Sequence, residues 1–160
     1  MQIARQNGPM FKRVLLCYDG TAAGRRALRR GAELAVLLNS EVHVLSIVQE
    51  EIPRAAVLAG ASGHTCLIDE AQQDRTLLDE SIEWLSTRGV SAKGSIATGD
   101  TSDVIATFAR QLQIDLIVLG HYPRPAGGFW WTSRNRASLA DRVRCCIFVA
   151  VAGPVEPDDG

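Results

Sequence analysis

The sequence is poor in lysine: of its 17 basic residues only Lys12 and Lys93 are lysines, the rest being arginine. No run approaches the about 20 consecutive apolar residues that a membrane-spanning helix requires. The first ten residues hold Arg5 but no apolar core of signal-peptide length, so the expectation is a cytoplasmic protein with no membrane partner. Aromatics make up only 6% of the 160 residues, and the net charge is −1. A near-neutral total excludes a generic polyanion binder, and no nucleic-acid partner is expected. Cysteine is too sparse for a disulfide framework; Cys17, Cys66, Cys145 and Cys146 read as free thiols, mostly buried. Without Cys-x-x-Cys or His-x-x-x-His spacing there is no metal site to argue for. A Walker loop and a Gly-x-Gly-x-x-Gly after a strand are both missing, which excludes the P-loop triphosphatase and standard dinucleotide readings. No Ser-His-Asp or Cys-His arrangement follows from spacing, so nothing obliges catalysis.

What is present alternates regularly. Residues 13–18 form a short apolar run, expected of a strand buried on both faces. Asp19-Gly20-Thr21 breaks it, and Thr21 is suited to cap a helix over 22–38. A strand follows over 42–48, giving a strand-helix-strand unit that implies a right-handed crossover and a parallel pair. Beyond an irregular stretch at 49–65, apolar spacing predicts a helix over 68–88, a modest strand over 91–97 and a helix over 103–112. The clearest strand is 115–120; a long loop, a short helix ending near Arg144 and a strand over 146–151 complete the chain. This order specifies an α/β fold, an open doubly wound parallel sheet of five strands with helices on both faces. Residues 1–10 read as an N-terminal extension, 11–152 as a single domain and 153–160 as an acidic tail.

Ligands of such a sheet bind beyond the carboxyl ends of the strands, where the strand order reverses. Two loops are candidates: Asp19-Gly20-Thr21, and the stretch from Gly120 to Ser138. Helix N-termini behind both favour anions. The small net charge is itself a cancellation, because residues 1–31 carry seven basic and one acidic residue, and residues 121–152 carry five Arg and Asp141. Those basic segments hold the two candidate loops. A genome rich in G and C explains a preference for arginine, but not this placement.

The segment from Lys12 to Thr21, the Ala-rich helix after it, Gly99-Asp100, the run from Asp115 to Gly120, and the terminal strand led by Cys145-Cys146 together resemble the universal stress protein family over roughly residues 11–152. The resemblance implies a strand order of 3-2-1-4-5 in an adenine-nucleotide alpha-hydrolase-like architecture, and a homodimer paired through Cys146–Val151. It also implies a non-catalytic regulatory or protective role in the stress response. ATP-binding members share a loop of the form Gly-x2-Gly-x9-Gly-Ser/Thr after the fourth strand. Laid on this chain without a gap, Gly120 keeps the first position, whereas Pro123, Ser133 and Arg134 fall on the other three. Proline fixes φ and has no N–H to donate, and Ser133 adds a Cβ where close approach is needed. ATP as cofactor is therefore expected to bind weakly or not at all. The alternatives are an ATP-binding member in which Arg134 and Arg136 hold phosphates by side chain, and an enzyme of a related nucleotide-dependent fold with slow ATP hydrolysis.

On the nucleoside side the resemblance marks Asp19, with Gly20 and Thr21, as hydrogen-bonding the ligand, and Ile47 as packing on the base. Asp19 reads equally as a turn residue satisfying local N–H groups, and Ile47 as plain core. Phe129-Trp130-Trp131 offers either base stacking or a clamp closing the end of the sheet. His43 on a strand reads as a satisfied core histidine, and His121 is a lone histidine at the cleft.

Overall fold

The computed structural model describes residues 10–48, 64–121 and 133–151. Five strands, β1 (Arg13–Tyr18), β2 (Glu41–Val48), β3 (Ala92–Thr98), β4 (Leu116–His121) and β5 (Cys146–Val151), form one sheet in the order β3-β2-β1-β4-β5. Every neighbouring pair is parallel. The helices are α1 (Ala22–Leu38), α2 (His64–Ser86), α3 (Thr101–Gln111) and α4 (Ser133–Arg142). The expected elements are all found with bounds within one or two residues, except that α2 begins at His64 rather than 68. Its first turn carries no acidic residue that would announce a helix start. The proposed N-terminal extension, apart from Met10, and the acidic tail lie outside the described residues.

The period-two geometry of β1 divides its side chains between two cores. Val14, Leu16 and Tyr18 face α1 and α2, packing with Leu28, Ala35, Leu78 and Leu85. Leu15 and Cys17 face the opposite layer, with Ile105, Ala109, Leu119 and Leu139. Burial on both sides is why β1 and β4 read as unbroken apolar runs. Each fully buried Leu or Ile contributes about 1.5–3 kcal/mol relative to exposure. β3 is an edge strand with alternating exposure, which explains its weak apolar signal.

Both ends of α1 are closed locally. Thr21 caps the N-terminus, its hydroxyl accepting from the Gly24 N–H at 3.0 Å. Asn39 takes the left-handed conformation at the C-terminus, and its N–H reaches the carbonyls of Ala35 and Val36. Asp100 caps α3 by accepting from the Asp103 N–H at 3.0 Å. At the amino ends of the strands, Asp115 Oδ2 accepts the backbone N–H groups of Lys12 and Arg13 at 2.9 and 3.0 Å, locking β4 to the start of β1. The Arg13 guanidinium donates to Leu112 O and Gln113 Oε1, closing the C-terminal end of α3.

Candidate functional site

At the carboxyl ends of the strands, the site is built around the first turn of α1. Gly20 adopts φ +75, a conformation that glycine takes without strain. That turn folds Asp19 back over the helix start: Asp19 Oδ1 accepts the Thr21 N–H at 3.2 Å and its hydroxyl at 2.7 Å. Thr21 in turn accepts from Gly24, so the carboxylate, the threonine and the helix N–H form one relay. A carboxylate already placed at this positive helix end opposes a second anion there.

Gly24 makes this arrangement possible. A Cβ at Gly24 would lie 2.2 Å from Asp19 Oδ1. The Gly24 carbonyl then meets β4, because a Cβ at Gly120 would lie 2.8 Å from Gly24 O and 3.1 Å from the Leu28 N. Asp19, Gly20 and Thr21 are thus brought to Gly120 through the backbone of α1. Gly120 is a packing glycine, keeping β4 and α1 in close contact. Ile47 is fully buried among Leu45, Leu119 and Ala97, on the face covered by α3 and α4; plain core packing accounts for it. Arg134 stands exposed in the first turn of α4. Pro123, Phe129, Trp130 and Trp131 lie outside the described residues, as do the side chains of Ser133 and Arg136.

Two other titratable groups, His43 and Cys17, are held within the packed sheet. His43 Nε2 lies 3.0 Å from Ser95 Oγ, and its ring is 5.9 Å from that of Phe108. Burial, reinforced by Lys93, lowers its pKa, so it is neutral at pH 7. Cys17 is buried, and burial pushes its thiol well above the ordinary range. The expectation of mostly buried thiols needs one correction: Cys146 is exposed, because it opens an edge strand, and Cys145 is half-buried. Among the described residues no group of His, Cys, Asp and Glu could hold a metal ion. None of the described helices is long and apolar enough to cross a membrane.

Sequence reasoning passed over Gly24, and placed Gly31 on the apolar face of the helix without finding what it packs against. A Cβ at Gly31 would lie 2.3 Å from Val118 Cγ1. The available signal was a pair of glycines inside a helix, each disfavoured by about 1 kcal/mol unless something packs against it.

The chain is similar to known proteins along most of its length. The model of the universal stress protein family matches residues 10–145. Universal stress protein YxiE of Bacillus subtilis (strain 168) is 26% identical over 119 residues, which span 69% of this chain and 79% of that protein. A solved structure of a universal stress protein family member from Burkholderia pseudomallei shares the fold at a TM-score of 0.64 and 21% identity, covering 89% of this chain and 97% of the other. An Arabidopsis thaliana member of the family, solved with AMP bound, matches at a TM-score of 0.57 and 15% identity, covering 92% of this chain and 97% of that one. Five parallel strands in the order 3-2-1-4-5 and the family match over residues 10–145 lead to one assignment: the chain belongs to the universal stress protein family.

Proposed function

We propose that this chain is a non-catalytic, regulatory or protective member of the family whose cleft binds ATP weakly or not at all. The observation that carries this reading is the makeup of the fourth-strand loop: Pro123, Ser133 and Arg134 stand where the ATP-binding pattern has two glycines and a hydroxyl residue. Its one surviving glycine, Gly120, is already used in packing against Gly24 O and Leu28. The Asp19 carboxylate on the α1 N-terminus adds repulsion against a long phosphate chain. The Arabidopsis relative with AMP bound keeps an adenine nucleotide as the ligand class to test.

Isothermal titration of the purified protein with ATP and magnesium tests the reading; micromolar affinity would overturn it. If ATP binds and Arg134→Ala abolishes the binding, phosphates are held by side chain instead. Turnover of ATP that disappears in Asp19→Ala would establish an enzyme. The assembly proposed is a cytoplasmic homodimer paired through Cys146–Val151. Its support is an edge strand bearing Phe148 at 44% and Val151 at 54% exposure. Light scattering that finds a monomer at micromolar concentration refutes the dimer.

A further inference from the structure

The charge along α1 is the reverse of what a helix dipole favours. Its first half holds Arg25, Arg26, Arg29 and Arg30, its first turn carries no acidic residue and its last turn no basic one. The pairs Arg25–Arg29 and Arg26–Arg30 also set like charges four residues apart, which destabilises a helix. Two of the four are accommodated on the side of α1 that meets α2. Arg25 pairs with Glu80, and the Arg29 guanidinium lies over the Trp84 ring, 5.8 Å from its centroid. Arg26 and Arg30 are exposed, and their side chains make no ion pair or hydrogen bond among the described residues.

Those two stand on the outer side of α1, away from α2 and toward β5. Gly31, the residue after Arg30, packs on that strand: a Cβ there would lie 3.2 Å from Ala150 Cβ. Ala150 is followed by Val151, the last residue of β5. In a right-handed crossover the helix runs back against the strands. Arg30, and then Arg26 about 6 Å further along the axis, therefore line the way out of β5. No residue of β5 is charged. Glu33 lies one turn in the other direction and makes no ion pair among the described residues.

The sequence that leaves β5 supplies what this face lacks. Residues 153–160 carry Glu156, Asp158 and Asp159 and no base. Five residues lead from Val151 to Glu156, a reach of about 17 Å when extended, against the about 10–12 Å diameter of the helix to be climbed. Asp158 and Asp159 reach further. A single exposed ion pair adds little, but here three carboxylates meet two guanidiniums that have no acid on the β5 side.

We propose that the outer face of α1 at Arg26 and Arg30 is a docking surface for the chain's own acidic segment, with Glu156, Asp158 and Asp159 as its charged contacts. Seated there, the segment straps the end of the edge strand to the first half of α1 and screens these arginines from external anions. The contact is independent of whether the cleft binds a nucleotide.

The test compares the full chain with Glu156→Gln/Asp158→Asn/Asp159→Asn, which neutralises the segment and changes nothing in the sheet or the helices. At low salt the Nε–Hε NMR signals of Arg26 and Arg30 should differ between the two proteins, while those of Arg75 and Arg88 on α2 coincide. The difference should vanish at about 1 M salt, where the Debye length falls to about 3 Å. Carboxyl titrations should place Glu156, Asp158 and Asp159 below their ordinary values of about 4.3 and 3.9, and Arg26→Gln/Arg30→Gln should return them there. Arg26 and Arg30 signals that coincide in the two proteins overturn the proposal. So do equal movements at Arg75 and Arg88, which would mean a general attraction and no seat. If the signals ignore the segment but move on adding inorganic phosphate, the face belongs to an external anion and the proposal fails. Should Arg26→Gln/Arg30→Gln fail to fold, the neutralised segment and the salt series decide without it.

Discussion

Replacing Gly120 with alanine inserts one methyl group between β4 and α1. Two of the three atoms it would meet belong to the helix backbone: Gly24 O at 2.8 Å and the Leu28 N at 3.1 Å, with Leu28 Cβ at 3.2 Å. Backbone cannot rotate away as a side-chain tip can, so α1 must retreat by a few tenths of an ångström along a seam where Gly31 is also in close contact with Val118. Overpacking of this kind destabilises by about 1–3 kcal/mol. Alanine recovers about 0.4–1 kcal/mol by restricting the unfolded chain. The expected net loss is about 1–2 kcal/mol, a fall in melting temperature of roughly 3–8 °C for a domain of this size. Urea denaturation followed by far-UV circular dichroism, with no nucleotide present, measures it. A Gly120→Ala protein as stable as its parent would refute the packing role. If such a protein also lost nucleotide binding, Gly120 would be a ligand glycine after all.

Other outcomes follow from the same geometry. Asp19→Ala removes the acceptor of the Thr21 N–H and hydroxyl and is expected to destabilise by about 1–2 kcal/mol, read as a lower urea midpoint; an unchanged midpoint would show that the relay adds nothing. His43 has its folded pKa lowered, by burial first and by Lys93 second, so its contribution is complete above the unfolded value of about 6.5 and is lost as pH falls below it. Denaturation curves from pH 8 to 5 should fall less steeply for His43→Gln than for the parent, and parallel curves would contradict the assignment. Asp115→Asn weakens the bonds to the Lys12 and Arg13 N–H groups and should cost about 1 kcal/mol at this exposed position. Arg142→Ala breaks the exposed ion pair with Asp103 and should shift stability by less than about 0.5 kcal/mol.

The sheet was legible because its central strands are buried on both faces, leaving apolar runs that no helical spacing explains. The start of α2 was not, since apolar spacing begins only at Ile68 and the first turn from His64 carries no acidic residue. Asp19, Gly20, Thr21 and Gly120 do come together, yet sequence alone could not show what joins them. The joining element is the backbone of α1 at Gly24, and a carbonyl has no letter in a sequence.

The pairing of β1 on both sides has a consequence for how the chain assembles. Its bonds to β2 close a loop of one helix, but Asp115 reaches Lys12 across 103 residues. During synthesis the β4-facing edge of the most apolar strand therefore waits, unpaired, until most of the chain has emerged. Closing so long a loop is slow, and an open apolar edge is the surface on which neighbouring chains associate. The centre of the sheet, the most stable part of the finished molecule, is by this reasoning its most vulnerable part while the molecule is being made.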